Sequence, residues 1–345
     1  MGFCKNRRKK LGLTFLGIAI LIAVICSGCD EKEKDTPQIG APFAINSSGD
    51  LLFCVIKRGG VYQPYIIPLK NNRSQPIALK FSGSESCLGA TWRSGAEEGR
   101  DELLFVTGGT PQTIKRFRIV DSGLSEISSY IMDPNLSVVL LNQRFSNRDI
   151  LAFRVEKWGD GRGVYLGFSK DNGQTISFSE IAPPAYILWI DRCIFYMAHD
   201  MEDGRMVMSK AQLDVDSMTL QTSEILQEDE IIVATKSLNG SPVYVTGHSL
   251  FRGNEILTLL PEGMKRPYVD GSYLACVSED GKKIYILSDK GEILDIKQKD
   301  RESMFVGLCA ANECIYLTTK GREKIIGYDF IEKIENVVFD PNNAP

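Results

Sequence analysis

The chain has 345 residues and two histidines, His199 and His248. A Ser-His-Asp triad or a His-rich metal centre therefore has little material to draw on. No C-x-x-C occurs after Cys29, so neither a zinc knuckle nor a thioredoxin-type dithiol is expected. A Gly-rich phosphate loop, a nucleophile elbow and a dinucleotide fingerprint are all missing. Beyond residue 28 no apolar run approaches the roughly 20 residues of a spanning helix, and long amphipathic helical patterns are absent. Neither a cofactor nor a metal is expected.

What is present begins with an address. The first ten residues carry Lys5, Arg7, Arg8, Lys9 and Lys10 and no acid, and residues 11–25 are almost wholly apolar. That run has signal-peptide length and is short for a transmembrane helix. Ser27 and Gly28 then lead into Cys29, followed by DEKEKD. This resembles a bacterial lipoprotein signal, cut before a cysteine that accepts the lipid. Cys26 departs from the pattern, standing where an aliphatic residue is usual. Lipidation at Cys26 would put bulky Ile25 beside the cut, which favours Cys29. The resemblance implies a chain held to the membrane by its acyl groups, each buried CH₂ contributing about 0.8 kcal/mol. The acids after Cys29 resemble the surface-export signal of Bacteroidetes lipoproteins. In enterobacteria an Asp there implies retention at the inner membrane. Both readings put the protein in the cell envelope, facing the periplasm or the cell surface.

The expected organisation is a signal peptide over residues 1–28, a lipidated Cys29 with a charged tether over 29–39, and one domain over 40–345. Loss of residues 1–28 lowers the basic count from 40 to 35 against 44 acids, a charge of about −9. An acidic body argues against nucleic acid as a partner. Six cysteines follow Cys29, most of them inside apolar runs such as LLFCVI and YLACVS, as buried cysteines are. In an oxidising compartment Cys309 and Cys314 can pair across the turn AANE, if the restrictive geometry allows it.

One phrase recurs. It begins at Asp50 (DLLFCVIKRGGVYQPYIIPLKN), and again at Glu102, Asp149, Arg192, Ser241, Ser272 and Glu313. Each copy has a short run rich in Val, Ile, Tyr and Phe, a polar turn usually containing Gly, and a second such run. The period averages about 44 residues, that of a four-stranded propeller blade. A lone four-stranded sheet cannot bury both faces, and radial stacking solves this. The expected fold is all-β, a β-propeller of seven blades. The compressed fifth phrase leaves six or eight open, and a pair of β-sandwiches is the alternative architecture. Closure by a shared strand is expected, with residues 42–48 and 335–340 in one blade.

FSKDNGQTISF (residues 168–178) resembles the Asp-box of sialidase-type propellers in Ser169, Asp171, Gly173 and Thr175, with Ile176 where an aromatic is usual. Asp171 can accept backbone N–H bonds within the turn, and Gly173 can take positive φ. The resemblance implies a structural hairpin at a blade's periphery, not catalysis. Sialidase chemistry needs an arginine triad, and no motif selects three of Arg93, Arg154, Arg192 and Arg266.

HDMEDG (residues 199–204) groups oxygen ligands that would suit calcium, but reads more simply as an acidic turn. His248 reads as a turn residue. Trp189 sits in an apolar run and reads as core, while Trp92 is ambiguous. In WGDGRG (residues 158–163), Trp158 with Asp160 and Arg162 forms the one loop combining a rigid aromatic, an acid and a base around glycines. These three are the candidate ligand contacts. The expected role is a non-enzymatic binding or assembly platform for a protein or glycan. A glycan hydrolase or lyase on the same scaffold, or a lipoprotein sequestering a toxin or other protein, are the rivals.

Overall fold

The computed structural model describes residues 36–46, 48–69, 75–79, 87–94, 101–120, 123–140, 151–158, 163–170, 175–180, 185–191, 194–200, 206–214, 216–227, 233–238, 241–246, 248–253 and 255–343. These form seven four-stranded antiparallel sheets, each built from four consecutive strands. The first holds β1 (Gln38–Ile45), β2 (Leu51–Arg58), β3 (Val61–Pro68) and β4 (Ile77–Ala78). The second holds β5 (Cys87–Ser94), β6 (Asp101–Thr107), β7 (Thr113–Val120) and β8 (Gly123–Ile131). The third holds β9 (Leu136–Leu140), β10 (Leu151–Lys157), β11 (Gly163–Ser169) and β12 (Ser177–Glu180). The fourth holds β13 (Ala185–Asp191), β14 (Ile194–Asp200), β15 (Met206–Asp214) and β16 (Thr219–Gln227). The fifth holds β17 (Val233–Leu238), β18 (Ser241–Thr246), β19 (Ser249–Arg252) and β20 (Glu255–Leu259). The sixth holds β21 (Met264–Asp270), β22 (Tyr273–Ser278), β23 (Lys283–Ser288) and β24 (Ile293–Gln298). The seventh holds β25 (Phe305–Cys309), β26 (Cys314–Thr318), β27 (Ile325–Asp329) and β28 (Ile334–Phe339). Strand β1 starts two residues before the expected domain boundary, and Ile39 is already fully buried.

Each recurring phrase of the sequence falls on the second and third strands of one sheet. Second strands such as β2, β6, β22 and β26 are covered on both faces, so they read as nearly unbroken apolar runs. Leu52, Phe53, Cys54, Val55 and Ile56 of β2 are all buried, as are Leu274, Ala275, Cys276 and Val277 of β22. Local chemistry sets the turns. Gly59 and Gly60, at φ +55° and +84°, join β2 to β3 in a two-residue turn that needs positive φ twice. Asp214 and Asp329 do the same work in two sheets: each carboxylate accepts two backbone N–H bonds after the third strand. A positive-φ residue, Met218 or Lys333, then leads into the fourth strand.

Neighbouring sheets pack face to face through apolar side chains. Phe53 of β2 stacks on Phe105 of β6 at 5.7 Å, and Phe105 stacks on Phe117 of β7 at 5.5 Å. Burying each such ring contributes about 1.5–3 kcal/mol. Similar clusters join the second sheet to the third, the fifth to the sixth and the sixth to the seventh. The first strands of adjacent sheets meet one another: β1 with β5, β5 with β9, β13 with β17, β17 with β21, and β21 with β25.

The ends of the chain correct the expected closure. Residues 42–48 and 335–340 do not share a sheet. β1 pairs with β2, and β28 pairs with β27. Each terminal strand is satisfied by its own sequence neighbour, so no exchanged strand is needed to complete a sheet. The first and seventh sheets meet through side chains instead. Ile39, Leu52, Cys54 and Ile67 pack on Val306, Cys309, Tyr316, Ile325 and Phe339, and β1 touches β25.

Candidate functional site

Trp158 follows β10 directly and is 49% exposed. Its N–H donates to the carbonyl of Asn135 at 2.9 Å, in the turn that enters β9. That turn is itself fixed, since Asp133 accepts the Asn135 N–H through its carboxylate and the Leu136 N–H through its carbonyl. The backbone beneath the indole is thus tied to two elements of the third sheet. Asp160 and Arg162, the other nominated contacts, lie outside the described residues.

The Asp-box segment spans the connection from β11 to β12. Ser169 is fully buried at the end of β11 and Thr175 is exposed before β12. Asp171 and Gly173 lie outside the described residues. Ile176, in place of the usual aromatic, packs on the core between the second and third sheets. A Cβ on Gly167 would come within 2.7 Å of Ile176 and of Val155, so glycine is required beneath it.

The remaining sequence candidates fall as follows. Trp92 is buried between the first two sheets, and its Nε1 donates to the Ala44 carbonyl at 2.9 Å. Trp189 lies on β13, opposite Tyr196. His199 and Asp200 end β14, while Glu202 and Asp203 lie outside the described residues. His248 sits exposed in the turn before β19, its carbonyl accepting from Leu260. Among the described residues, no group of three or more His, Cys, Asp or Glu is placed to hold a metal ion. Cys309 and Cys314 stand directly opposite across the AANE turn and remain separate thiols. Burial pushes the thiols of Cys87, Cys276 and Cys314 up to about 12, which suits packing and not nucleophilic attack.

Two polar clusters escape a reading of the sequence. Glu102 on β6 is fully buried and stands in register between Arg93 of β5 and Arg118 of β7. Its Oε2 takes two bonds from Arg116, at 2.6 and 2.8 Å, and its Oε1 takes bonds from Arg118 at 2.9 and 3.3 Å. The second cluster joins the turns between first and second strands. Asn46 Oδ1 accepts the N–H groups of Asp50 and Leu51, closing its own turn. Its Nδ2 reaches Asp101 of the second sheet at 2.7 Å. Burial raises the Asp101 carboxyl, the Asn46 bond opposes that, and neighbouring Asp50 adds to it. Across the seam, Asn312 donates to the Gly49 carbonyl and to the Tyr316 hydroxyl. Further along, Asp270 accepts the N–H of Ala310 at 2.9 Å. These turns link the sixth, seventh, first and second sheets in series, and they act as fasteners.

No protein-family model and no curated protein matches the chain. Solved structures do. The β-propeller domain of the Trilobed protease from Pyrococcus furiosus, described as having an open velcro topology, is 14% identical with a TM-score of 0.56. The match covers 90% of this chain and 100% of that one. Oligopeptidase B from Leishmania major is 10% identical with a TM-score of 0.59, over 90% of this chain and 50% of that one. Prolyl oligopeptidase B from Galerina marginata is 11% identical with a TM-score of 0.59, over 89% and 51%. The chain thus spans about half the length of these two peptidases. At such identities the likeness concerns the fold alone, and the fold is all-β and propeller-like.

Proposed function

We propose that the protein is a seven-bladed propeller, anchored in the cell envelope by lipid on Cys29, that binds a protein or glycan ligand without transforming it. Seven four-stranded sheets and the contact of β1 with both β5 and β25 support the ring. The basic, apolar and small-residue segments ahead of Cys29 support the anchor. The observation that carries the binding role is Trp158. Half of its surface is open to solvent, although its backbone is fixed. A stiff aromatic on a hydrogen-bonded backbone loses little conformational freedom when a ligand covers it.

The test separates binder from enzyme. The protein is incubated with a panel of envelope and plant polysaccharides, and retention and product release are both measured. A binder retains a polysaccharide, releases no new reducing ends or unsaturated sugars, and loses about 1–3 kcal/mol of affinity in Trp158→Ala. Steady release of such products would establish the hydrolase or lyase instead.

A further inference from the structure

Strand register sorts the described cysteines. Cys54 faces Tyr65 on β3, Cys87 faces Thr107 on β6, and Cys276 faces Tyr285 on β23. Cys309, the last residue of β25, faces Cys314, the first residue of β26. Among the described cysteines this is the one pair of strand neighbours. Opposite residues of an antiparallel ladder share a face and have Cα atoms about 4.5 or 5.5 Å apart, and both spacings fall within the about 4.4–6.8 Å of disulfides. The two side chains pack in the same cluster between the seventh and first sheets, Cys309 buried and Cys314 half-buried.

The residues between them form a joint. Glu313 closes the turn by donating its N–H to the Ala310 carbonyl at 3.2 Å. The N–H of Ala310 reaches Asp270 of the sixth sheet at 2.9 Å, and Asn312 donates to the Gly49 carbonyl of the first. One short hairpin of the seventh sheet thus fastens both of its neighbours. Gly49 also covers the Cys309 sulfur, which lies 3.9 Å from its carbonyl oxygen.

We infer that Cys309 and Cys314 are a disulfide site, and that their bond locks the hairpin joining the sixth, seventh and first sheets. The Cys314 thiolate, the more exposed of the two, attacks a sulfur of a disulfide-bonded oxidant, either oxidised glutathione or a protein disulfide, and releases one thiol. The Cys309 sulfur then attacks the Cys314 sulfur, forming the Sγ–Sγ bond and releasing the second thiol. Two thiols are oxidised, one disulfide is reduced, and the protons of Cys309 and Cys314 end on the oxidant's sulfurs. Burial raises the Cys314 thiol to about 12 and keeps its thiolate scarce in the closed seam, so exchange is fastest while the first sheet is not yet packed on the hairpin. Supply of an oxidant in the cell rests on the envelope reading above; the geometry of the pair does not.

The full chain in non-ionic detergent is held in an oxidising glutathione buffer, at a urea concentration just below its unfolding midpoint so that the seam opens transiently. It is then denatured in acid, alkylated with iodoacetamide and cut with trypsin. Cleavage after Arg301 and Lys320 leaves residues 302–320 as one peptide, with Cys309 and Cys314 as its only cysteines. That peptide should be lighter by two hydrogens and take no iodoacetamide, while reduction before alkylation should restore two labels. Cys54, Cys87 and Cys276 should be labelled in both samples. Oxidation should also move the urea midpoint upward. The site is refuted if both sulfurs of the peptide are labelled without reduction, if either is found joined to another cysteine or left as a glutathione adduct, or if the bond forms and the midpoint falls. The oxidant is supplied in the tube, so failure of the envelope reading and failure of this site are distinguishable.

Discussion

Replacing Glu102 should be among the most damaging single changes in the domain. Its carboxylate is fully buried and accepts four bonds from Arg116 and Arg118. The guanidinium-bearing side chains are 14% and 24% exposed, so water can take over only part of that work. Glu102→Gln keeps the shape, but removes the charge and turns an amide donor toward one of two donor-only partners. Breaking a buried ion pair from one side costs about 3–5 kcal/mol, and the residual exposure of the arginines places this case near about 3. For a domain of this size that corresponds to a fall in Tm of about 6 °C. Urea unfolding followed by tryptophan fluorescence measures the loss, with thermal melts as a check. Glu102→Leu combined with Arg116→Met and Arg118→Met should recover most of it, because no charge is then stranded. A loss under about 1 kcal/mol for Glu102→Gln would refute the view that this carboxylate holds two cations in place.

Gly49→Ala should destabilise the domain by about 2 kcal/mol or more, because φ there is +69° and the new methyl would strike the sulfur of buried Cys309; chemical denaturation reads this directly. Asp214, Asp280 and Asp340 are held below the usual carboxylate range chiefly by side-chain and backbone donors in their own turns. Their contribution is complete above the ordinary Asp value, about pH 4, and is lost as pH falls through the lower folded values. Tm should therefore drop between about pH 4 and pH 2, and less steeply in Asp280→Ala; identical slopes would show that the turn bonds carry no linkage. Cys29→Ala should abolish labelling by a palmitate analogue and leave the precursor uncut, and undiminished labelling would refute the anchor.

The strands easiest to read in the sequence were those with the least choice of environment. Second strands such as β2 and β22 are covered on both sides, so LLFCVIKR and YLACVS announce themselves as apolar runs. First strands are harder, because Gly40, Pro42 and Pro267 interrupt them and bulges break the alternation. Fourth strands such as β24 and β28 lie largely exposed, and ILDIKQ or IENVVF carry little apolar pattern. Both chain ends look like strands, and composition cannot say which neighbour each will pair with. That is why a shared closing strand was a reasonable expectation and the wrong one. The Glu102 cluster was hidden for a related reason. Glu102 and Arg118 are 16 residues apart, and only the register of β6 on β7 makes them neighbours. The alternation in KRFR was the available hint. Of the nominated site, exposure of Trp158 was legible from its place before a Gly-rich turn.

The central proposal is a ring of seven sheets, its first and seventh meeting through side chains of β1 and β25, with no strand exchanged. A crystal structure of the protein tests it most directly at the seam. The account predicts β1 hydrogen-bonded to β2, β28 to β27, and Asn312 donating to the Gly49 carbonyl between the seventh and first of seven sheets. Residues 42–48 paired with 335–340 in one sheet, or a ring of six or eight, would contradict it.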